Sequence, residues 1–393
     1  MDQLLNMGGF HRDVWCLLGL PFDALTMSQA VAQVRATAAS RARCFISTAN
    51  LNFLVTATAD QAFRESVVDS DLSLVDGMPL VWLARVLGLP IRERVAGSDL
   101  FEALRRDDTP SSDHGTARGP LRVFFFGGPR GAAEHACARL NTEGGGLRCA
   151  GWHYPGFGRV EDMSGQEIID KINASGADFL LVSLGARKGQ AWIVRNLPRL
   201  RVPVVSHLGA VVNFLAGSVR RAPTWMRRTG LEWLWRIKEE PALWARYAWD
   251  GLVLVRLALT RVLPYLAWRW WQRIGLGRSL DPQFSVRVLA ADGISDDPRS
   301  TGTARAGYRV ILAGPVLAGN LGPVRDAFRE AVASGLDIIV DLEQATDVDC
   351  AFLGLLMVLR KQALAGGRRL RINGASAPIR RLFWFNAATY LLE

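Results

Sequence analysis

Residues 121–128 read L-R-V-F-F-F-G-G, a run of bulky apolar side chains that stops at two glycines. Such a run, without polar alternation, suits a strand covered on both faces, and strands of that kind occur in parallel sheets flanked by helices. The same pattern recurs on either side. R-C-F-I-S-T-A-N (43–50) and L-S-L-V-D-G (72–77) precede it, and D-F-L-L-V-S-L-G (178–185) and V-P-V-V-S-H-L-G (202–209) follow. Between them lie segments of helical spacing, such as residues 51–68 after the first strand. The alternation predicts an α/β fold with a parallel sheet, and ligands of such sheets bind at the carboxyl ends of the strands. Those ends carry the polar and glycine turns S-T-A-N, D-G, G-G and L-G.

At 393 residues the chain is long for one core, and its apolar and charged fractions of 49% and 21% are those of a globular protein. The polar stretch 111–120 reads as a loop. Composition shifts to Gly, Ser, Asp, Pro and Arg over 276–307, which predicts an interdomain linker with one short strand at 284–289. A compact α/β unit follows at 308–393, with strands at 308–312, 337–342 and 369–372 and helices at 321–333, 352–364 and from 377. The five cysteines have no spacing that suggests a metal site or a disulfide framework, so a reducing cytoplasm is the default. The first residues lack a long apolar segment, which argues against a secretory signal.

Residues 220–273 concentrate eight of the thirteen tryptophans and a local charge of +7 out of +10 overall. Arginine forks bind phosphates and indoles favour the headgroup level of a bilayer, so the composition suits a phosphorylated lipid at a membrane surface. A buried aromatic core with solvated arginines is the plainer reading. Within the stretch, residues 251–271 are apolar but interrupted by Arg256, Arg261 and Arg269, with Pro264 expected to kink them. We read 251–275 as an interfacial helix whose arginines snorkel toward anionic headgroups. A spanning helix and a soluble partner-binding helix are the alternatives. Nucleic acid is suggested only by basic charge and aromatics, with no recognisable motif to support it.

Asp76 ends the buried run L-S-L-V, a position where a carboxylate is partly desolvated and a raised pKa suits a general base. An Asp-Gly turn is the competing explanation. The S-T-A-N loop at 47–50 adds hydroxyl and amide groups that could orient a sugar. Gly127 and Gly128, in G-G-P-R-G, could bring backbone amides to a nucleotide diphosphate, although neither G-x-G-x-x-G nor a Walker pattern is present. Ser98 or Asp99 in G-S-D-L reads equally as a helix N-cap. His207 lies at a strand end, and no catalytic role is assigned to it. The first domain has no D-x-D pair to hold a metal on a sugar nucleotide, so metal independence is expected, with arginines in the cation's place.

Taken in order, S-T-A-N-L-N-F (47–53), S-D-L-S-L-V-D-G-M-P-L-V (70–81), R-V-A-G-S-D-L (94–100), F-F-G-G-P-R-G (125–131), I-N-A-S-G-A-D-F-L-L-V-S-L-G-A (172–186), N-F-L-A-G-S-V-R-R-A-P-x-W (213–225) and G-L-E-W-L-W-R-x-x-x-E-P (230–241) resemble the WecG/TagA/CpsF glycosyltransferases, glycosyltransferase family 26. The resemblance covers roughly residues 14–250. It implies a Rossmann-like, metal-independent, inverting enzyme with no cofactor. Such an enzyme moves a sugar, commonly of the N-acetylmannosamine type, from a UDP-sugar donor to a polyprenyl-diphosphate-linked sugar at the cytoplasmic face of the bacterial inner membrane. By position, Asp76 matches the family's proposed base, and Thr48 and Asn50 the polar pair beside it. Arg221, Arg236 and Arg246 match arginines that neutralise the UDP leaving group or the lipid diphosphate. Many relatives read L-G-A-P-K-Q-E-x-W where this chain has L-G-A-R-K-G-Q-A-W, so Gly189 stands at the family glutamine and Gln190 at the following glutamate, and a one-residue shift would let Gln190 serve the same contact.

The segment 308–393 resembles a STAS domain through V-I-L-A-G-P-V (310–316), I-I-V-D-L-E-Q-A-T-D-V-D (338–349) and L-R-I-N-G-A-S (370–376). Regulatory members carry a phosphorylatable serine after the Asp of D-S-S-G. Here Asp349 is followed by Cys350 and Ala351, which leaves no hydroxyl to modify and favours docking of a protein partner. The expectation is a peripheral membrane glycosyltransferase domain (1–250), an interfacial helix (251–275), a linker (276–307) and a STAS-like domain (308–393), acting in surface or exopolysaccharide assembly. The alternative is a non-catalytic membrane scaffold that recruits polysaccharide enzymes through the STAS domain. A homo-oligomer is compatible with either.

Overall fold

Among the described residues the first strands form a hairpin, β1 (Val14–Leu17) and β2 (Leu20–Asp23), turned at Leu18 and Gly19, both with positive φ. The computed structural model describes residues 9–106, 119–217, 220–275, 283–294 and 305–393. Residues 111–118 of the loop expected at 111–120, and stretches 276–282 and 295–304 of the expected linker, lie outside these. Two compact units are present, one made of Ala24–Val86 and Pro90–Leu252, the other of Met1–Asp23, Leu87–Leu89 and Val253–Glu393.

The first unit is built on six strands, β3 (Cys44–Ala49), β4 (Leu72–Val75), β5 (Leu121–Gly127), β6 (Leu147–His153), β7 (Phe179–Ser183) and β8 (Val204–His207), in the order β4-β3-β8-β7-β5-β6. Every pairing is parallel. Val123 and Phe125 of β5 face a core with helices Met27–Ser40, Gly97–Arg106, Ala132–Glu143 and Gly209–Leu215. Phe124 and Phe126 face the opposite core, with helices Gln166–Ala174 and Ala186–Asn196. This two-sided burial is why V-F-F-F lacks alternation. Trp192 stacks on Phe126 at 4.2 Å and donates its indole N–H to the Met163 carbonyl at 2.8 Å, so its polar edge is satisfied in a buried position. The sheet is Rossmann-like, as expected. From β3 the chain steps outward to β4, and from β5 it steps the other way to β6, while β7 and β8 fill the middle. The crevice at that reversal, above the carboxyl ends of β3 and β8, is where ligands of such sheets sit.

One expectation about the cysteines is corrected. Cys137 on helix Ala132–Glu143 and Cys149 on β6 form a disulfide. The pairing comes from the helix packing beside β6, a proximity that a twelve-residue separation in sequence does not reveal. Cys16, Cys44 and Cys350 are buried and form no disulfide.

The second unit contains a sheet of β12 (Ala345–Val348), β10 (Arg305–Val316), β11 (Asp337–Asp341) and β13 (Leu370–Asn373), with β9 (Ser285–Ile294) antiparallel on β10. The short strand expected at 284–289 is the first part of β9. Helix Cys350–Ala365, C-A-F-L-G-L-L-M-V-L-R-K-Q-A-L-A, is buried nearly all round because the N-terminal hairpin covers the side turned away from the sheet. At Gly354 the two backbones meet so closely that a Cβ would lie 2.2 Å from the Val14 carbonyl oxygen. Arg325 adds hydrogen bonds to the carbonyls of Phe10 and Arg12 at 2.8 and 2.7 Å. Asp349 caps this helix, accepting from the amides of Ala351 and Phe352 at 3.0 Å each.

Helix Trp244–Leu257 continues through a π turn, Ala258–Val262, into helix Leu263–Gly275. In the π turn the Leu263 amide donates to the Ala258 carbonyl, and helical structure runs on through Pro264 to Gly275. By length and composition, residues 241–271 could cross a bilayer. Arg261 and Arg269 correct the expectation of snorkelling arginines. Arg261 stacks 3.9 Å from the Trp384 ring centroid, and Arg269 pairs with Asp347 at 2.8 Å and donates to the Tyr265 hydroxyl at 3.2 Å. Both are held by the STAS-like part of their own unit. Tyr265 and Trp268 pack against Phe385 there, while Val255, Leu259, Leu263, Trp270, Trp271 and Ile274 are left exposed.

Candidate active site

Parallel pairing in register brings Ala49 opposite Val75, so the residues that follow, Asn50 and Asp76, leave neighbouring strands at the same level. The Asp76 amide donates to the Ala49 carbonyl at 2.9 Å, and Gly77, at φ +155, turns the chain away. The Asp76 carboxylate accepts the Gly97 amide at 3.4 Å. A Cβ on Gly97 would lie 2.2 Å from Leu208 Cδ2 and 3.1 Å from Thr48 Oγ1. Any side chain at Gly97 would have to displace Leu208, so glycine lets the start of helix Gly97–Arg106 approach the carboxylate without repacking. Thr48 and Asp76 thus both approach Gly97, and Thr48 is buried.

Burial pushes the Asp76 carboxyl up to about 6. Arg94 pulls it back down, Glu232 and Asp99 raise it further, and the Gly97 hydrogen bond lowers it. Arg94 was not singled out from the sequence, although it opens the quoted motif R-V-A-G-S-D-L. Its guanidinium forks between Asp99 and Glu232, the latter at 2.7 Å. Burial lowers the Arg94 pKa, but the carboxylates of Asp76, Glu232 and Asp99 outweigh that and raise it. Asp99 also binds Arg221 and, at 2.7 Å, Arg227. The helix already begins at Gly97, so Ser98 and Asp99 occupy its first turn and are not its N-cap. Three arginines converge on one carboxylate whose partners come from distant parts of the chain, a pattern that G-S-D-L does not display.

Asn50 caps helix Leu51–Ala59, its Oδ1 accepting the Phe53 amide at 3.1 Å. Its Cβ lies 4.0 Å from where a Gly77 Cβ would stand, which sets it beside Asp76. Gln190 is fully buried. Its Nε2 donates to Ser47 at 3.0 Å, and its Oε1 finds no partner among the described residues. Gly127 and Gly128 have φ of +91 and +87, and the Gly128 amide donates to the Ser183 carbonyl at 2.6 Å. That amide ties β5 to β7 and is already engaged. His207 is buried under Gly189 with its Nε2 2.6 Å from the Leu184 carbonyl, and burial lowers its pKa.

The three arginines grouped from the sequence separate into two places. Arg221 and Arg236 lie over the Phe214 ring, at 5.4 and 5.2 Å. Arg221 also lines a recess of about 190 Å³ with Ser98, Phe101, Arg139 and Phe214. Arg246 instead lines a cleft of about 530 Å³ with Asn52, Val55, Gly185, Arg187, Lys188, Trp249 and Asp250.

A parallel doubly wound sheet with a high-pKa carboxylate at a strand end, flanked by arginines, is a site suited to drawing a proton from a hydroxyl while stabilising a phosphate leaving group. The chain belongs to the family described as the glycosyl transferase WecG/TagA/CpsF family, which residues 15–266 match. Residues 300–385 match the STAS domain family described as "Mlab, STAS domain". The chain is similar to the N-acetylglucosaminyldiphosphoundecaprenol N-acetyl-beta-D-mannosaminyltransferase of Bacillus spizizenii, with 30% identity over 202 residues, covering 51% of this chain and 74% of that one. It is similar also to the Staphylococcus aureus protein of the same name, with 26% identity over 222 residues, covering 56% of this chain and 82% of that one.

Proposed function

We propose that this glycosyltransferase moves an N-acetylmannosamine-type or related hexose from a UDP-sugar to a polyprenyl-diphosphate-linked sugar, with inversion and without a metal. The reading rests on Asp76, a carboxylate with its pKa raised to about 6, set at a strand end beside Thr48, Asn50 and Gly97. Asp76 takes the proton of the acceptor hydroxyl. The resulting oxygen nucleophile attacks the anomeric carbon from the face opposite UDP, and the bond from that carbon to the diphosphate breaks. Arg221 and Arg236, with no cation between them and the phosphates, neutralise the charge that builds on the departing diphosphate. The names of the two relatives, which specify an undecaprenyl-diphosphate-linked acceptor, support the lipid-borne substrate.

The same reading makes the chain a peripheral protein at the cytoplasmic face of the inner membrane, in surface or exopolysaccharide assembly. Support for lying on the bilayer comes from helix Leu263–Gly275, where one face is fixed to the water-facing STAS-like fold through Arg269 and Asp347 and the other exposes Leu263, Trp270, Trp271 and Ile274. The STAS-like part is then a docking module. Incubation with a panel of UDP-sugars and short-chain polyprenyl-diphosphate sugars, followed by mass analysis, tests the activity. A product heavier than the acceptor by one hexose-type residue is expected, and no product from any pair refutes it.

A further inference from the structure

The cleft of about 530 Å³ beside Arg246 is separate from the arginines over Phe214 and has the wrong shape of charge for a sugar alone. Arg187, Lys188 and Arg246 line it against a single carboxylate, Asp250, so the wall carries a net charge of about +2 near pH 7. Asp250 is 2% exposed and is held by the Asn52 amide, whose Nδ2 lies 3.2 Å from both carboxylate oxygens. Arg187 retains only a loose pair with Asp60 at 3.6 Å, and Lys188 is hydrogen-bonded to the Gly158 carbonyl at 2.9 Å. Val55, Ala59 and the half-exposed indole of Trp249 supply an apolar side.

We propose that this cleft holds the diphosphate and first isoprene units of the lipid-linked acceptor, while Arg221 and Arg236 serve the nucleotide. This rests on the reading of the chain as a transferase acting on a lipid-borne sugar. A diphosphate joined at both ends carries two negative charges, matching the net charge of the lining, and its prenyl end requires the apolar wall. The spacing also suits it. Asn50, beside Asp76, caps the helix on which Asn52 lines the cleft, and two residues of helix advance about 3 Å along its axis. The cleft thus opens close to the strand end that carries Asp76.

The test uses the full chain and three soluble probes in calorimetry: farnesyl diphosphate, inorganic pyrophosphate and UDP. Arg187→Ala combined with Lys188→Ala is expected to weaken farnesyl diphosphate at least tenfold and to leave UDP affinity within twofold, which also reports that the variant is folded. Trp249→Ala should weaken farnesyl diphosphate while leaving pyrophosphate unchanged. In turnover, the double variant should raise the acceptor KM more than its kcat falls. Loss of UDP binding in the double variant, or unchanged affinity for farnesyl diphosphate, overturns the assignment. If the wild-type chain binds farnesyl diphosphate at the cleft but transfers no sugar, the functional reading fails and the cleft stands. Transfer with an acceptor KM indifferent to both variants gives the reverse.

Discussion

Replacing Asp76 with Asn removes the proposed base while keeping its size and an oxygen acceptor for the Gly97 amide. Loss of a general base lowers kcat by about 10²- to 10⁴-fold, and UDP affinity should stay near wild type because the base acts on the acceptor. The wild-type enzyme should show kcat/KM rising with pH through about 6, where the carboxyl ionises, and the variant should lose that limb. Stability offers an independent readout. The folded carboxyl titrates at about 6 against 3.8 for an ordinary aspartate. A raised carboxylate destabilises the fold wherever it is ionised, so the wild-type chain loses stability as pH rises from about 4 to about 6. The interval corresponds to a cost on the order of 3 kcal/mol above pH 6 and none below pH 4. Asp76→Asn should therefore be more stable than wild type at pH 7.5 and lose that advantage near pH 4, as read by urea unfolding of the unit with the six-stranded sheet. Unchanged turnover would sink the mechanism, and a variant less stable than wild type at pH 7.5 would show that the carboxylate is not strained by burial.

Arg94→Ala removes the charge that holds the Asp76 carboxyl down, so the acidic limb of the pH profile should move to higher pH; a limb that stays at about 6 contradicts the coupling. Gly97→Ala forces a Cβ to within 2.2 Å of Leu208 Cδ2, so a loss of about 1–3 kcal/mol and a large drop in turnover are expected, and wild-type unfolding behaviour would count against the close approach. Replacing Leu259, Leu263 and Trp270 together by Ser should move the chain from the pellet to the supernatant in sedimentation with anionic vesicles. Each buried side chain contributes roughly 2 kcal/mol, and undiminished sedimentation would mean that this face is not the one that meets lipid.

The strands were legible in the sequence because each is a short apolar run covered on both faces. That local property requires no knowledge of partners, and L-R-V-F-F-F-G-G became β5 at the bounds its composition suggests. Asp76 was legible for the same reason, since a carboxylate directly after a buried run must sit at the strand's end. The ordered motifs of residues 47–241 identified the family. The sequence did not reveal that Arg94, Asp99, Arg227 and Glu232 form one charge network, because these residues lie up to 138 positions apart and each looks like a solvated charge in isolation. The same limit applies to Cys137 with Cys149 and to Arg261 and Arg269, whose partners stand on elements that only packing brings near. Grouping Arg221, Arg236 and Arg246 through the family resemblance hid their division between the Phe214 ring and the cleft. Periodicity and burial are written residue by residue, so sequence carried the sheet and the position of Asp76 at a strand end, whereas the pairing of charges depends on distances set by the whole fold.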